Sequence, residues 1–227
     1  MEMNGILLVD KPPSMTSHDV VNILRKKLNV KKVGHAGTLD PAATGLLLML
    51  VGAATKQSQF LMSDIKAYSV AMTLGTTTHT ADHTGTVLCR APVPEFDDNA
   101  IKEALSHFQG EISQVPPMVS AKKVKGKKLY VLARKGLTIE RPAQNITIYD
   151  LVLRKINLPE VCFDVRCSKG TYIRTLCEDI GKHLGCGAHM SALRRTACAG
   201  YSVSEAVSVD ELLRMSIEAV QARLITV

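Results

Sequence analysis

The sequence predicts an α+β fold with a central, largely antiparallel mixed sheet flanked by helices, and three observations carry that expectation. KAYSVAMTLG places Tyr68, Val70, Met72 and Leu74 at every second position, the alternation of a strand with one buried face. Two more strand-like runs, NITIYDLVLRKI and EVCFDVRCS, are joined by the short turn NLPE, which suits antiparallel neighbours. Strands and helices otherwise mix without strict βαβ alternation, which disfavours a doubly wound sheet. The 227 residues show no repeat, low-complexity segment or linker, so one compact catalytic-size domain over 1–227 is expected.

Taken in order, GILLVDK reads as a short strand bounded by Pro12 and Pro13. Thr16 and Asp19 form a capping box, and Val20, Val21, Leu24 and Leu28 make the apolar face of the helix that follows. The loop GHAGTLDPAATG leads into an apolar run from Leu46, read as a buried strand, and ATKQSQFLM reads as a short helix. TTTHTADHTG has no period and reads as a polar loop or hairpin before the short strand TVLCR. The clearest helix follows: Asp97 or Asp98 caps it, Ile101, Ala104, Leu105 and Phe108 form its stripe, and Gly110 stops it.

QVPP forces extended backbone, after which come a basic loop and a short helix around Leu129, Leu132 and Ala133. Beyond the two strands joined by NLPE, a helix points Ile173, Leu176, Cys177, Ile180 and Leu184 inward. ALRRTACAGYSV reads as a last strand, and Ser208 with Glu211 opens a final helix through another capping box.

The formal charge of +7 favours a polyanionic partner, while scarce aromatics and no Trp argue against single-strand stacking platforms. The longest apolar run, from Gly45, is too short to span a bilayer, and the N-terminus lacks the layout of a signal peptide, so a cytoplasmic location is expected. The six cysteines contain no C-x-x-C pair and read as free, buried thiols.

Several chemistries are set aside for want of their phosphate-binding, dinucleotide-binding or nucleophile-elbow motifs. Cys186 and His189 have a metal-compatible spacing without a second half. His79, Asp82 and His83 are metal-like, but Thr78 and Thr80 stand where further histidines would be needed. No metal is expected. Asp40 remains, held between Gly37 and Pro41, with Gly34 and Gly45 allowing close approach of another molecule's backbone. Asp before Pro also commonly caps a turn or helix start, and from local sequence both readings stay open.

Seven blocks then resemble, in order, those of the TruB-type tRNA pseudouridine synthases. They are LLVDKPPSMTS (7–17), VGHAGTLDPAATGLLLMLVGAATK (33–56), KAYSVAMTLG (66–75), T-x-T-x-D-x-x-G (78–85), QVPPMVSAKKVKGKKLYVLARKG (114–136), CSKGTYIRTLCEDIGKHLG (167–185) and SALRRTACAGYSV (191–203). The resemblance implies a pseudouridine-synthase-like catalytic domain with RNA-binding loops, converting uridine 55 of the tRNA T-loop to pseudouridine without a cofactor. It implies tRNA as partner, through the T-arm. No membrane and no obligate protein partner are expected, and since nothing in the sequence suggests an obligate dimer, a monomer is expected.

It also implies roles. Asp40 matches the essential aspartate, acting on C1′, on C6 of the ring, or in forming a glycal. Arg174 matches the active-site arginine that keeps the aspartate ionised; spacing alone equally allows a helix bridge to Glu178. Tyr68 matches the tyrosine that stacks on the flipped uracil and serves in proton transfer, and by alternation it is equally a core-facing strand residue. Tyr172 and Leu193 match residues lining the uracil pocket, or are plain packing residues. His35 matches the histidine that fills the space of flipped bases, or faces solvent. Lys11 sits in the DKP block that supports the site, and the basic stretch 122–135 resembles a face along the T-stem, or is a solvated charge run. Val119 and His79 depart from the family's usual residues, and a C-terminal accessory RNA-binding domain carried by many members is expected to be absent or truncated.

Overall fold

The computed structural model describes residues 3–61, 65–120, 122–124, 126–133 and 135–226. They form two compact units, one of residues 1–69 with 193–227 and one of residues 70–192. No helix among the described residues is long and apolar enough to cross a membrane.

The first unit opens with β1 (Gly5–Lys11) and α1 (Ser17–Leu28). Thr16 caps α1: its side chain accepts from the Asp19 N–H, and Asp19 returns the bond to the Thr16 N–H. Val20, Val21, Leu24 and Leu28 are the buried face, as their spacing predicts. Next come β2 (Val33–Ala36), a strand not expected from the sequence, and β3 (Thr44–Val51). Residues 46–51 of β3 are buried on both faces, which explains a run that shows no alternation. A 3₁₀ turn and the short α2 (Ser58–Leu61) follow; Met62, the end of the expected helix, lies outside the described residues. β4 (Lys66–Leu74) then leaves this unit, and its buried positions alternate through Tyr68, Val70, Met72 and Leu74.

In the second unit, β5 (Thr76–Thr78) and β6 (Val87–Arg90) make the hairpin around the polar loop. α3 (Asp98–Ser106) is capped by Asp97, whose carboxylate accepts from the Ala100 N–H at 2.7 Å. β7 (Gly110–Gln114) was not expected: glycine and polar residues mask a strand that owes its existence to pairing with β10. A small ribbon of β8 (Lys123–Val124) and β9 (Lys127–Lys128) leads into α4 (Leu129–Ala133). Of the basic stretch, Lys125 and Arg134 lie outside the described residues. β10 (Gln144–Asn157) and β11 (Glu160–Cys167) form the antiparallel pair expected from NLPE, and α5 (Ile173–His183) follows. β12 (Ala188–Cys198) starts four residues before the expected strand and carries the chain back into the first unit.

There, β13 (Tyr201–Ser202) folds back on β12, and β14 (Val207–Ser208) runs parallel to β1. Ser208 then caps α6 (Val209–Arg214) by accepting from the Glu211 N–H, and a further helix, α7 (Ile217–Ala222), follows. The first unit carries the strand order β14-β1-β3-β12, with β2 also on β3, and β1-β3 and β2-β3 antiparallel. Ile6, Leu8, Leu46, Leu48 and Leu50 form one core cluster there with Ala36, Ala54 and Cys198. The second unit carries β11-β10-β7, antiparallel throughout.

Candidate active site

Register decides what surrounds Asp40. Lys11, at the end of β1, pairs with Gly45 at the start of β3, and Arg195 on β12 pairs with the same glycine from its other side. Two long cationic side chains therefore flank the point where the Asp40 loop enters the sheet. Gly45 has φ +101°, and a Cβ there would collide with the Arg195 carbonyl oxygen, so the position requires glycine.

Side chains from three elements hold the loop. Ser17 of α1, 2% exposed, accepts from the Leu39 N–H at 2.9 Å and lies 3.2 Å from the Leu39 oxygen, to which it donates. Lys11 Nζ donates to the carbonyls of Pro12 and Met15, both at 2.8 Å, and of Pro41 at 3.3 Å. Arg195 donates from Nε to Leu46 at 2.6 Å and from Nη2 to Gly37 at 2.9 Å. After Pro41 the chain turns, with the Ala43 N–H donating to the Asp40 oxygen at 3.0 Å, and enters β3. No helix follows Asp40, so the helix-start reading of its sequence does not apply. Its half-buried carboxylate sits in a turn fixed from below.

The electrostatics follow from burial. Lys11 is fully buried, which lowers its pKa to about 8; the Asp40 carboxylate opposes that fall and the Arg195 guanidinium adds to it. At neutral pH Lys11 stays mostly cationic, and its three N–H groups match three carbonyls. His35, half-buried on β2, has its pKa lowered by burial, by Arg195 and by His18. Its Nδ1 is buried with no hydrogen-bond partner among the described residues. Tyr68 is buried on β4, and Leu193 is half-buried on β12 with its carbonyl 3.4 Å from Thr44 Oγ1.

The second unit holds Tyr172 and Arg174. Tyr172 is the N-cap residue of α5, and Gln114 pins its backbone on both sides: the Tyr172 N–H donates to Oε1 at 2.8 Å, and Nε2 donates to the Tyr172 carbonyl at 3.1 Å. Arg174, 4% exposed, donates to the carbonyls of Thr80 at 3.1 Å and Val119 at 2.7 Å. Its Nη1 lies 3.7 Å from Asp82 Oδ2. Glu178, the alternative helix partner, is paired with Lys182 at 3.0 Å. The Val119 contact uses a backbone carbonyl, so valine at that position does not affect it.

Asp82 belongs to this arrangement rather than to a metal cluster. Its Oδ1 accepts from Thr80 Oγ1 at 2.7 Å, Thr84 Oγ1 at 2.6 Å and the Thr84 N–H at 3.0 Å. Burial raises its pKa, but the bonds from Thr84 and Thr80, with Arg174, outweigh burial and leave it below the usual carboxylate value. His189 Nδ1 lies 2.9 Å from the Thr76 carbonyl, and Cys186 is buried.

Sequence reasoning missed Ser17, Gln114, Arg195 and the role of Asp82. Thr-x-Asp-x-Thr is a visible signal for a carboxylate gathering local donors. Two adjacent arginines on a strand are a signal that one faces inward. Ser17 and Gln114 leave no such mark.

Comparison with known proteins identifies the family. Residues 25–173 match the TruB family pseudouridylate synthase (N terminal domain) model, and residues 174–224 match that of the tRNA pseudouridylate synthase B C-terminal domain. The tRNA pseudouridine synthase B of Alkaliphilus oremlandii is 55% identical over 210 residues, covering 92% of this chain and 70% of the relative. That of Opitutus terrae is 47% identical over 226 residues, covering 100% and 94%. Among solved structures, a chain of a Cbf5-Nop10-Gar1 complex superposes with TM-score 0.78 at 29% identity; the match covers 99% of this chain and 60% of that one. A chain of an H/ACA RNP bound to a substrate RNA containing 2'-deoxyuridine gives 0.70 at 30% identity, covering 92% and 52%. The chain belongs to the TruB family of pseudouridylate synthases.

Proposed function

We propose that this chain isomerises uridine 55 in the T-loop of tRNA to pseudouridine, with Asp40 as the reacting carboxylate. The observation that carries the reading is the Asp40 loop, tied at Gly37, Leu39, Pro41 and Leu46 by three buried side chains. A free solvent-facing acid needs no such restraint, whereas a carboxylate that must meet one carbon of a flipped nucleotide does. The names of the relatives support tRNA as the substrate.

The reaction breaks the N1–C1′ bond, turns the freed uracil and forms C5–C1′. The C5 hydrogen leaves as a proton and N1 regains one, so the change is redox-neutral and needs no cofactor. Asp40 acts at C1′, at C6, or in forming a glycal; each route needs an ionised carboxylate close to the nucleoside. On the family's pattern, the role of keeping a carboxylate ionised falls to Arg174. On the same pattern, stacking on the uracil and proton transfer fall to Tyr68, and contact with the uracil to Tyr172 and to Leu193. His35, neutral and with an unclaimed Nδ1, takes the space of bases turned out of the loop. Lys11 supports the Asp40 turn, and the basic stretch 122–135 follows the T-stem backbone.

The test is position-specific detection of pseudouridine in an unmodified tRNA transcript incubated with the full chain. Modification at position 55 and not at other uridines is expected. Modification elsewhere, with position 55 untouched, refutes the assignment.

A further inference from the structure

Arg194 and Arg195 are neighbours on β12, and strand alternation sends them to opposite faces. Arg194 points outward, its side chain 43% exposed, and forks onto Asp10 with bonds of 3.1 and 2.7 Å. Arg195 points inward and is 1% exposed. A guanidinium removed from water needs its N–H groups and charge matched. Here the loop around Asp40 supplies carbonyls for that purpose.

The two carbonyls are those of Leu46 and Gly37, which lie on either side of Asp40 in the chain. Between them, the Arg195 backbone pairs with Gly45. Gly37 has φ +77°, and a Cβ on it would sit 3.3 Å from Arg195 Nη1, so the glycine admits the guanidinium this close. We propose that Arg195 is a positioning residue for Asp40, stapling the entry and exit of the Asp40 loop to β12 through the Gly37 and Leu46 carbonyls. This rests on the reading of Asp40 as the reacting carboxylate.

Two consequences follow. Tying both ends of a short loop removes the backbone freedom through which Asp40 would drift, and small displacements of a reacting group are costly in rate. Arg195 also places a second buried cation in the same neighbourhood as Lys11, whose charge interacts with both Asp40 and Arg195. Positive charge on this side favours the ionised carboxylate.

The experiment compares wild type, Arg195→Met, Arg195→Lys and, as a control on the opposite face, Arg194→Met, each in the full chain. Amide hydrogen exchange is followed over residues 37–43, and single-turnover tritium release and RNA affinity are measured on a T-arm stem-loop with 5-tritiated uridine. Arg195→Met is expected to speed exchange of the loop about tenfold or more while β1 and the rest of β3 keep their protection. It is expected to slow single turnover about 100-fold, with the Kd for the stem-loop held within about threefold. Arg195→Lys keeps the charge and reaches one carbonyl, so both effects are intermediate, and Arg194→Met matches wild type in loop exchange.

Unchanged loop exchange in Arg195→Met overturns the proposal. So does exchange rising equally in β1, β3 and β12, which marks a general packing role, or a rate loss matched by an equal loss of affinity. A wild type that releases no tritium defeats the functional reading instead, and the exchange data alone then decide whether Arg195 staples the loop.

Discussion

Replacing Asp82 with asparagine changes the charge of one side chain and hardly its size, so its effect can be worked out atom by atom. All three local donors, Thr80 Oγ1, Thr84 Oγ1 and the Thr84 N–H, bond to Oδ1, and an asparagine oxygen can keep them. The new NH₂ then occupies the Oδ2 position, 3.7 Å from Arg174 Nη1, donor against donor. A unit ion pair at that distance is worth ~4 kcal/mol at an effective dielectric near 20. Part is returned because a carboxylate no longer has to be desolvated, while the retained bonds weaken as they lose charge assistance. Arg174 keeps its Thr80 and Val119 carbonyls, so the net loss should be about 2–4 kcal/mol.

For a chain of this length that lowers Tm by roughly 4–16 °C. Because the folded pKa of Asp82 is below the unfolded value, its contribution is complete above about pH 4 and fades as pH falls through the folded value. Thermal unfolding of both proteins between pH 8 and pH 3 reads this directly. The gap should be constant down to about pH 4 and then narrow. A gap under about 1 °C at pH 7, or one as wide at pH 3 as at pH 7, refutes the reasoning.

Other consequences are as direct. Lys11 has a folded pKa of about 8 against a higher unfolded value, so between about pH 8 and 10.4 the unfolded chain binds the extra proton. Wild-type stability should therefore gain on the order of 2–3 kcal/mol over that window relative to Lys11→Met, measured by denaturant titration. Thr16→Ala removes both bonds of the Thr16 hydroxyl, from the Asp19 N–H and to the Asp19 carboxylate, while the Thr16 N–H keeps its bond to Asp19; it should cost about 1 kcal/mol, or ~2–4 °C in Tm, by thermal scan. Stem-loop affinity should fall about tenfold or more between 50 and 200 mM salt in a filter-binding titration; a flat profile contradicts phosphate contacts by the basic stretch.

What the sequence revealed and hid has physical causes. α1, α3 and the alternating β4 were legible because period and caps are local signals: Thr16 with Asp19, Asp97, and every second residue from Tyr68. β2 and β7 were not, because short strands with glycine and polar residues depend on pairing partners distant in sequence. The TruB-like blocks singled out Asp40, but local sequence could not say whether Pro41 began a helix; the turn into β3 decided that. Arg174 was paired in expectation with a carboxylate, and within its own unit the structure adds Asp82, which the sequence presented as a metal-like cluster. Two adjacent strand arginines signalled that one faces inward, but that it is Arg195 is a property of the assembled sheet.

Tritium release from a T-arm stem-loop carrying 5-tritiated uridine tests the central claim most directly, since joining C5 to C1′ expels that hydrogen. Wild type should release tritium; Asp40→Ala should release none while binding the stem-loop within about threefold, because phosphate contacts dominate affinity. Comparable release by Asp40→Ala would contradict the account.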